Sequence, residues 1–299
     1  MRTALRLKRS VWFLVLAFVA MTLVTGAEVP RIKVFTSILP QKYFVERIAG
    51  ELVDVEVLVG PGMSPHTFEP LPQQMSQLSR AAAFFMIGVP FEKALVNRLA
   101  AICPDLKLVD TGRNVVRRSM SEPDSDHQHG EDCVHEAGSS DPHFWLDPMN
   151  AITISQAIAG ALVEILPDSS AQINENLQQL TDELKTLDQQ LTTALAPVKG
   201  QTMLVFHPAF GYFAARYGLK QQSVEIEGKE PGPRQLAELI RKCRQLNVHV
   251  VFVQKQFPVA AAETVARSIN GAVVPIDSLA EDYIDNLRRI SEAILAGVK

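Results

Sequence analysis

Short apolar runs alternating with amphipathic segments of helical length govern what this chain can fold into. The runs at residues 32–38, 53–59, 82–87 and 106–109 read as strands, and residues 41–49, 72–80 and 91–102 between them read as helices. Parallel strands cannot be joined by a tight turn and need a long return path, so this alternation predicts a parallel sheet with crossover helices. The rhythm resumes later in the chain. Residues 202–206, 223–226, 248–253 and 272–276 read as strands, with helices expected over 209–217, 233–246, 259–269 and 281–295. No residue-level repeat accompanies this shared rhythm.

Between the two halves the pattern changes. Residues 151–166 form one amphipathic helix closed by Pro167, and Asp168 can cap the next. In that next segment Ile173, Leu177, Leu180, Leu184, Leu187, Leu191 and Leu195 recur at spacings of three and four until Pro197 stops them. Roughly 28 residues at ~1.5 Å each give a rod of about 42 Å. The stripe has the spacing of a coiled coil, so it can dimerise; one such stretch between two α/β halves reads better as a spine within the chain. The expected fold class is α/β: two lobes, each a four-stranded, mostly parallel sheet flanked by helices, joined by one long backbone helix. The boundaries are an export segment at 1–27, a first lobe at 28–167, the linking helix at 168–197 and a second lobe at 198–299.

At 299 residues, 47% of them hydrophobic, the chain can bury one large core or two medium ones. Arg2, Arg6, Lys8 and Arg9 precede an uncharged apolar run at residues 11–24 and then Thr25-Gly26-Ala27, which has the form of a secretory signal and its cleavage site. The run spans only about 21 Å, short of the ~30 Å membrane core, so a cleaved signal and a periplasmic location are expected. Its removal takes the formal net charge from -4 to -8, which argues against nucleic acid and anionic membrane as partners. Three cysteines, Cys103, Cys133 and Cys243, make no disulfide framework. Cys133 stands among histidines and can bind metal as a thiolate, be oxidised or pair with Cys103; Cys243 lies in a helical pattern and reads as a small packing residue.

The chemistry gathers in the histidines. Three of the seven, His127, His129 and His135, lie in a polar, acidic stretch at 124–136 that has no apolar face to bury. That stretch reads as a solvated loop able to collect metal weakly, since fixing it costs about 1–2 kcal/mol per residue. His249 falls inside an expected strand and reads as a core or surface residue. The other three stand at the carboxyl ends of expected strands, where open parallel sheets bind ligands. His66 lies in the loop after the second strand, His143 in the long connection after the fourth, and His207 at the end of the first strand of the second half; Asp277 ends the last strand. Each has an ordinary alternative: His207 or Asp277 as a helix cap, His66 as a loop residue bonded to backbone, His143 as a packing residue beside aromatics. Together, three imidazoles and one carboxylate suit Zn²⁺ better than manganese, which prefers more oxygen. Glu69 is an acceptor for an imidazole N–H behind the ligands, a near-ligand or a surface acid.

The motifs 65–70 (Pro-His-Thr-Phe-Glu-Pro), 141–148 (Asp-Pro-His-Phe-Trp-Leu-Asp-Pro), 206–213 (Phe-His-Pro-Ala-Phe-Gly-Tyr-Phe) and 230–233 (Glu-Pro-Gly-Pro), with Asp277, resemble the zinc and manganese solute-binding proteins of ABC importers, and most of all the ZnuA-type zinc-uptake members. The resemblance covers essentially the whole chain after the signal. It implies metal held between two lobes by His66, His143, His207 and Asp277, with Zn²⁺ as the transported ligand, a cognate ABC permease and its ATPase subunit as partners, and a monomer that is not an enzyme. Manganese members carry Glu where His207 stands. The alternatives are a manganese- or iron-binding member of the family, a metal-linked adhesin and an exported zinc hydrolase; the last lacks a His-Glu-x-x-His arrangement.

Overall fold

The computed structural model describes residues 31–120, 140–226, 229 and 231–298. The expected export segment at 1–27 and the histidine-rich stretch at 124–136, with His127, His129, His135 and Cys133, lie outside the described residues. From Ile32 onward the chain is one compact unit. Among the described residues no helix is long and apolar enough to cross a membrane.

The first sheet contains β1 (Ile32–Ile38), β2 (Val53–Val59), β3 (Ala83–Met86) and β4 (Lys107–Asp110), in the order β2-β1-β3-β4. All of its pairings are parallel, with Val34 set beside both Val55 and Ala83. The second sheet contains β5 (Thr202–Val205), β6 (Lys220–Ser223), β7 (Val250–Gln254) and β8 (Ala272–Ile276), and repeats that plan as β6-β5-β7-β8, again parallel throughout. The expected alternation is therefore present twice, and the likeness between the halves is architectural. In both sheets the chain order reverses beside the first strand. This opens a crevice at the carboxyl ends of β1 and β3 and of β5 and β7.

The helices are α1 (Leu39–Ala49), α2 (Pro72–Leu78), α3 (Pro90–Ile102), α4 (Pro148–Ile165), α5 (Ser170–Leu195), α6 (Gly211–Tyr217), α7 (Pro233–Gln245), α8 (Val259–Ser268) and α9 (Tyr283–Gly297). Pro72, Pro90, Pro148 and Pro233 each open a helix, where a missing N–H is no loss and a fixed φ suits the first turn. α4 begins three residues before the expected start because Asp147 caps it, accepting the Met149 N–H at 2.8 Å. The expected cap of α5 is corrected: Asp168 lies in a 3₁₀ turn, Pro167–Ser169, and Ser169 precedes the helix with no side-chain cap. The strand expected at 223–226 begins at Lys220. Its sequence there, Lys-Gln-Gln-Ser, is polar because β6 is an edge strand and only half-buried, while backbone bonds to the β5 side continue through Glu225.

α5 has 26 residues, roughly 39 Å at 1.5 Å per residue. Ile173, Leu180, Leu184, Leu187, Leu191 and Leu195 on its stripe are buried, and the helix packs on α1, α4 and α9 of the same chain. The leucine spacing thus serves an internal spine. One apolar cluster runs from Val34 in β1 through α5 to Ile294 in α9, so both sheets share a core. A smaller cluster fills the outer side of the second sheet and takes in Cys243. There burial pushes the Cys243 thiol up to about 11, which leaves it an inert packing residue. Cys103 is likewise buried, with no disulfide partner among the described residues.

Candidate metal centre

His207 stands two residues beyond β5, at the crevice of the second sheet. Buried Gln254, the last residue of β7, clasps its backbone: Nε2 donates to the His207 carbonyl at 2.7 Å and Oε1 accepts the His207 N–H at 3.3 Å. α6 starts only at Gly211, so His207 does not cap it. His143 enters from the connection after β4 and is followed by a 3₁₀ turn of buried residues, Phe144–Leu146. Trp145 ties this turn to the second half. Its Nε1 donates to the Ser278 carbonyl at 2.8 Å, and its own carbonyl accepts the Tyr283 hydroxyl at 2.6 Å. His66 lies in the β2–α2 loop, where backbone turns from Gly60 to Met63 and from Ser64 to Thr67 shape the chain.

The three rings converge. Their centroids are 5.6 Å apart for His66–His143, 4.7 Å for His66–His207 and 5.2 Å for His143–His207. One nitrogen from each lies within 4.8 Å of the others, and this is the one such group of metal-capable side chains found among the described residues. Two nitrogens on one tetrahedral zinc stand about 3.3 Å apart, given Zn–N bonds of about 2.0–2.1 Å, so the triad needs only a small contraction. The cavity over the rings measures about 20 Å³, room for one water-sized body and far from the ~300 Å³ or more of an organic ligand site. Phe257 stacks on His207 at 4.8 Å and Trp145 lies 5.3 Å from His143, forming apolar walls.

Carboxylates behind the rings decide which nitrogen faces the cavity. Asp141 Oδ1 accepts both the backbone N–H of His143, at 2.9 Å, and its Nδ1, at 2.8 Å. Glu225 Oε2 lies 2.6 Å from His207 Nδ1. A carboxylate accepts only, so in the neutral imidazole the proton sits on Nδ1 and Nε2 is the nitrogen that presents a lone pair. His207 Nε2 is buried with no hydrogen-bond partner among the described residues. An orphaned acceptor of that kind is costly unless something electropositive occupies the cavity. His66 keeps an exposed edge, yet desolvation of its ring within the cleft, then the neighbouring His207 and His143, lowers its pKa to about 3. Burial also lowers that of His207, overcoming the opposing bond to Glu225. Both rings are therefore neutral and ligand-ready at ordinary pH.

Gly211 has a packing reason to be glycine: a Cβ there would come within 2.9 Å of Asp141 Oδ2. The first turn of α6 thus rests on the carboxylate that orients His143. Tyr212 adds to the same corner, its hydroxyl accepting the Arg118 N–H at 2.9 Å and donating to the Asp141 carbonyl at 3.4 Å.

The fourth expected ligand stands apart from the triad. Asp277 directly follows β8, as expected, but its carboxylate lies outside the gathered group: Oδ1 accepts the Leu279 N–H at 2.9 Å, and Lys255 Nζ stands 3.2 Å from Oδ2. It does not cap the last helix, which starts at Tyr283 after Asp282. Its neighbours Ser278 and Leu279 line the cavity. Glu69 is exposed and makes no hydrogen bond among the described residues; the acceptors behind the imidazoles are Asp141 and Glu225. Asp141 had a signal in its motif, two residues before a histidine. Glu225 had none, since it reaches His207 only through sheet pairing. His249 is an exposed residue bonded to Ile269 and Asn247.

The chain is also similar to known proteins along most of its length. Residues 34–297 match the family model described as the periplasmic component A of the zinc-uptake complex, ZnuA. A crystal structure of ZnuA superposes with a TM-score of 0.82 at 35% identity, covering 90% of this chain and 100% of that one. A ZnuA deletion mutant with zinc bound gives 0.82 at 34% identity, covering 90% and 99%. The zinc-binding lipoprotein AdcA of Streptococcus pneumoniae is 28% identical over 84% of this chain, which spans 51% of that longer protein. With a match that runs through both sheets and all the chemistry-bearing strand ends, this chain belongs to the family of periplasmic zinc-uptake complex component A proteins.

Proposed function

We propose that this protein captures Zn²⁺ in the cleft between its two sheets and delivers it to an ABC importer. His66, His143 and His207 supply three nitrogens and Asp277 the fourth ligand. The observation that carries this is the buried Nε2 of His207, without a partner among the described residues and set at a cavity it shares with two other imidazoles. Nitrogen-rich donor sets suit zinc over manganese. Asp141 and Glu225 hold two of the three imidazoles in the binding tautomer, so the triad is oriented before the ion arrives. The ion is cargo and not a catalyst: four protein ligands close the sphere that a hydrolase would leave open to water.

On this reading residues 1–27 direct export, the mature chain works in the periplasm as a monomer, and its partners are a membrane permease and that permease's ATPase subunit. The halves at 28–167 and 198–299 act as lobes about the helix at 168–197. The stretch at 124–136, with His127, His129 and His135, is a weak auxiliary collector. Elemental analysis of protein purified from its own compartment tests the proposal: one zinc per chain is expected, and protein that carries manganese or iron instead sinks it.

A further inference from the structure

Two short loops of the second half run side by side at the edge of the cavity. One follows β7 and brings Gln256 and Phe257 to it; the other follows β8 and brings Ser278 and Leu279. Where they meet, the two oxygens of Asp277 have different partners. Oδ1 is fixed by the Leu279 N–H at 2.9 Å, a bond that turns the backbone onto the carboxylate and holds it at the strand end. Oδ2 faces the Lys255 ammonium at 3.2 Å. Their settings also differ. The Asp277 side chain is 15% exposed and that of Lys255 68%. A largely buried carboxylate needs a cation nearby, whereas an ammonium this exposed stays hydrated and can leave at little cost.

We infer that Lys255 is an affinity-setting counter-cation of the cleft, which neutralises Asp277 at Oδ2 and must be displaced before that oxygen can join the metal. This rests on the reading of the cleft as a zinc site with Asp277 as fourth ligand. A zinc ion about 2.0–2.2 Å from Oδ2 and an ammonium on the same atom are like charges that repel, so the two exclude each other. Binding therefore carries the cost of breaking one ion pair. Release is helped by its re-formation, which suits a carrier that must give up its cargo. Exposed pairs are weak, so the effect is a trim of about two- to fivefold in affinity.

Zinc dissociation constants from chelator competition test this, with thermal melts of the metal-free proteins as a check on folding. Lys255→Gln is expected to bind zinc about two- to fivefold more tightly, Lys255→Arg to stay near wild type, and Lys255→Gln in an Asp277→Asn background to change nothing. Unchanged or weakened binding in Lys255→Gln overturns the inference, as does equal tightening in Lys255→Arg. Equal tightening in the Asp277→Asn background also overturns it, because general charge repulsion would then suffice. The zinc reading fails separately. Wild-type affinity in His66→Ala would remove the cleft site itself, whereas weakened histidine variants alongside an unaffected Asp277→Asn would leave the cleft and sink only the role of Lys255.

Discussion

At the level of single residues, the site depends as much on what lies behind the imidazoles as on the imidazoles. His143 and His207 each turn Nδ1 to a buried carboxylate, at 2.8 Å and 2.6 Å, and so each offers Nε2 forward. Asp141→Asn or Glu225→Gln keeps the volume but removes the acceptor that fixes the tautomer, since an amide can donate as well as accept. Each is expected to weaken zinc about 10- to 100-fold. If the proposed site holds zinc, truncation of His66, His143 or His207 to Ala removes a ligand outright and is expected to cost more, while Asp277→Ala is expected to cost less because water can replace an oxygen ligand. Competition titration with a fluorescent chelator ranks all six. Wild-type affinity in either carboxylate variant would show that the rings hold their orientation without help.

Among the elements, α5 bears on both halves at once, and its stripe is where sequence and structure agree most closely. Every leucine read as apolar is buried except Leu177, which is half-buried against the shared core. Leu187 is fully buried, so Leu187→Ala leaves a cavity and is expected to cost about 2–5 kcal/mol. Denaturant unfolding measures it, and a loss below about 1 kcal/mol would mean that the stripe does not carry the shared core. The strands and helices were legible because buried parallel strands read as continuous apolar runs and core-facing helices repeat at 3.6 residues. What escaped follows from the same physics. β6 was misplaced toward Val224 and Ile226 because an edge strand can be polar, and the start of α4 was missed because its signal, Asp147 before Pro148, is a cap and not a periodicity. The three histidines were legible as strand ends. The pairing of Glu225 with His207 was not, because it depends on the register between β5 and the edge strand. For the stretch at 124–136, deletion is expected to leave one tight zinc equivalent and remove only weaker binding. Calorimetry showing loss of the tight equivalent would move the primary site to His127, His129 and His135.

For the molecule as a whole, the cleft is closed enough to decide how binding responds to acid. An imidazole free in water titrates near ~6.5, and protons compete with zinc below that value. In the assembled cleft His66 is held down to about 3, chiefly by burial and then by its two neighbours, and His207 is lowered as well, chiefly by burial. Both groups have folded values below their unfolded ones. The stability they lend is thus fully present above ~6.5 and is lost as pH falls toward the folded values, because the unfolded chain takes up protons that the native cleft refuses. Two outcomes follow for the intact protein. The melting temperature of the metal-free form should drop steadily as pH is lowered from ~6.5 toward 4. Zinc affinity should also fall with acid, but at His66 and His207 protons compete only below ~6.5, since rings already held neutral have no proton to give up. Chelator competition from pH 8 to pH 4 reads this directly. A metal-free melting temperature that holds steady from ~6.5 to 4 would show His66 and His207 titrating as they do in water, and with that the picture of imidazoles held neutral before the ion arrives would fail.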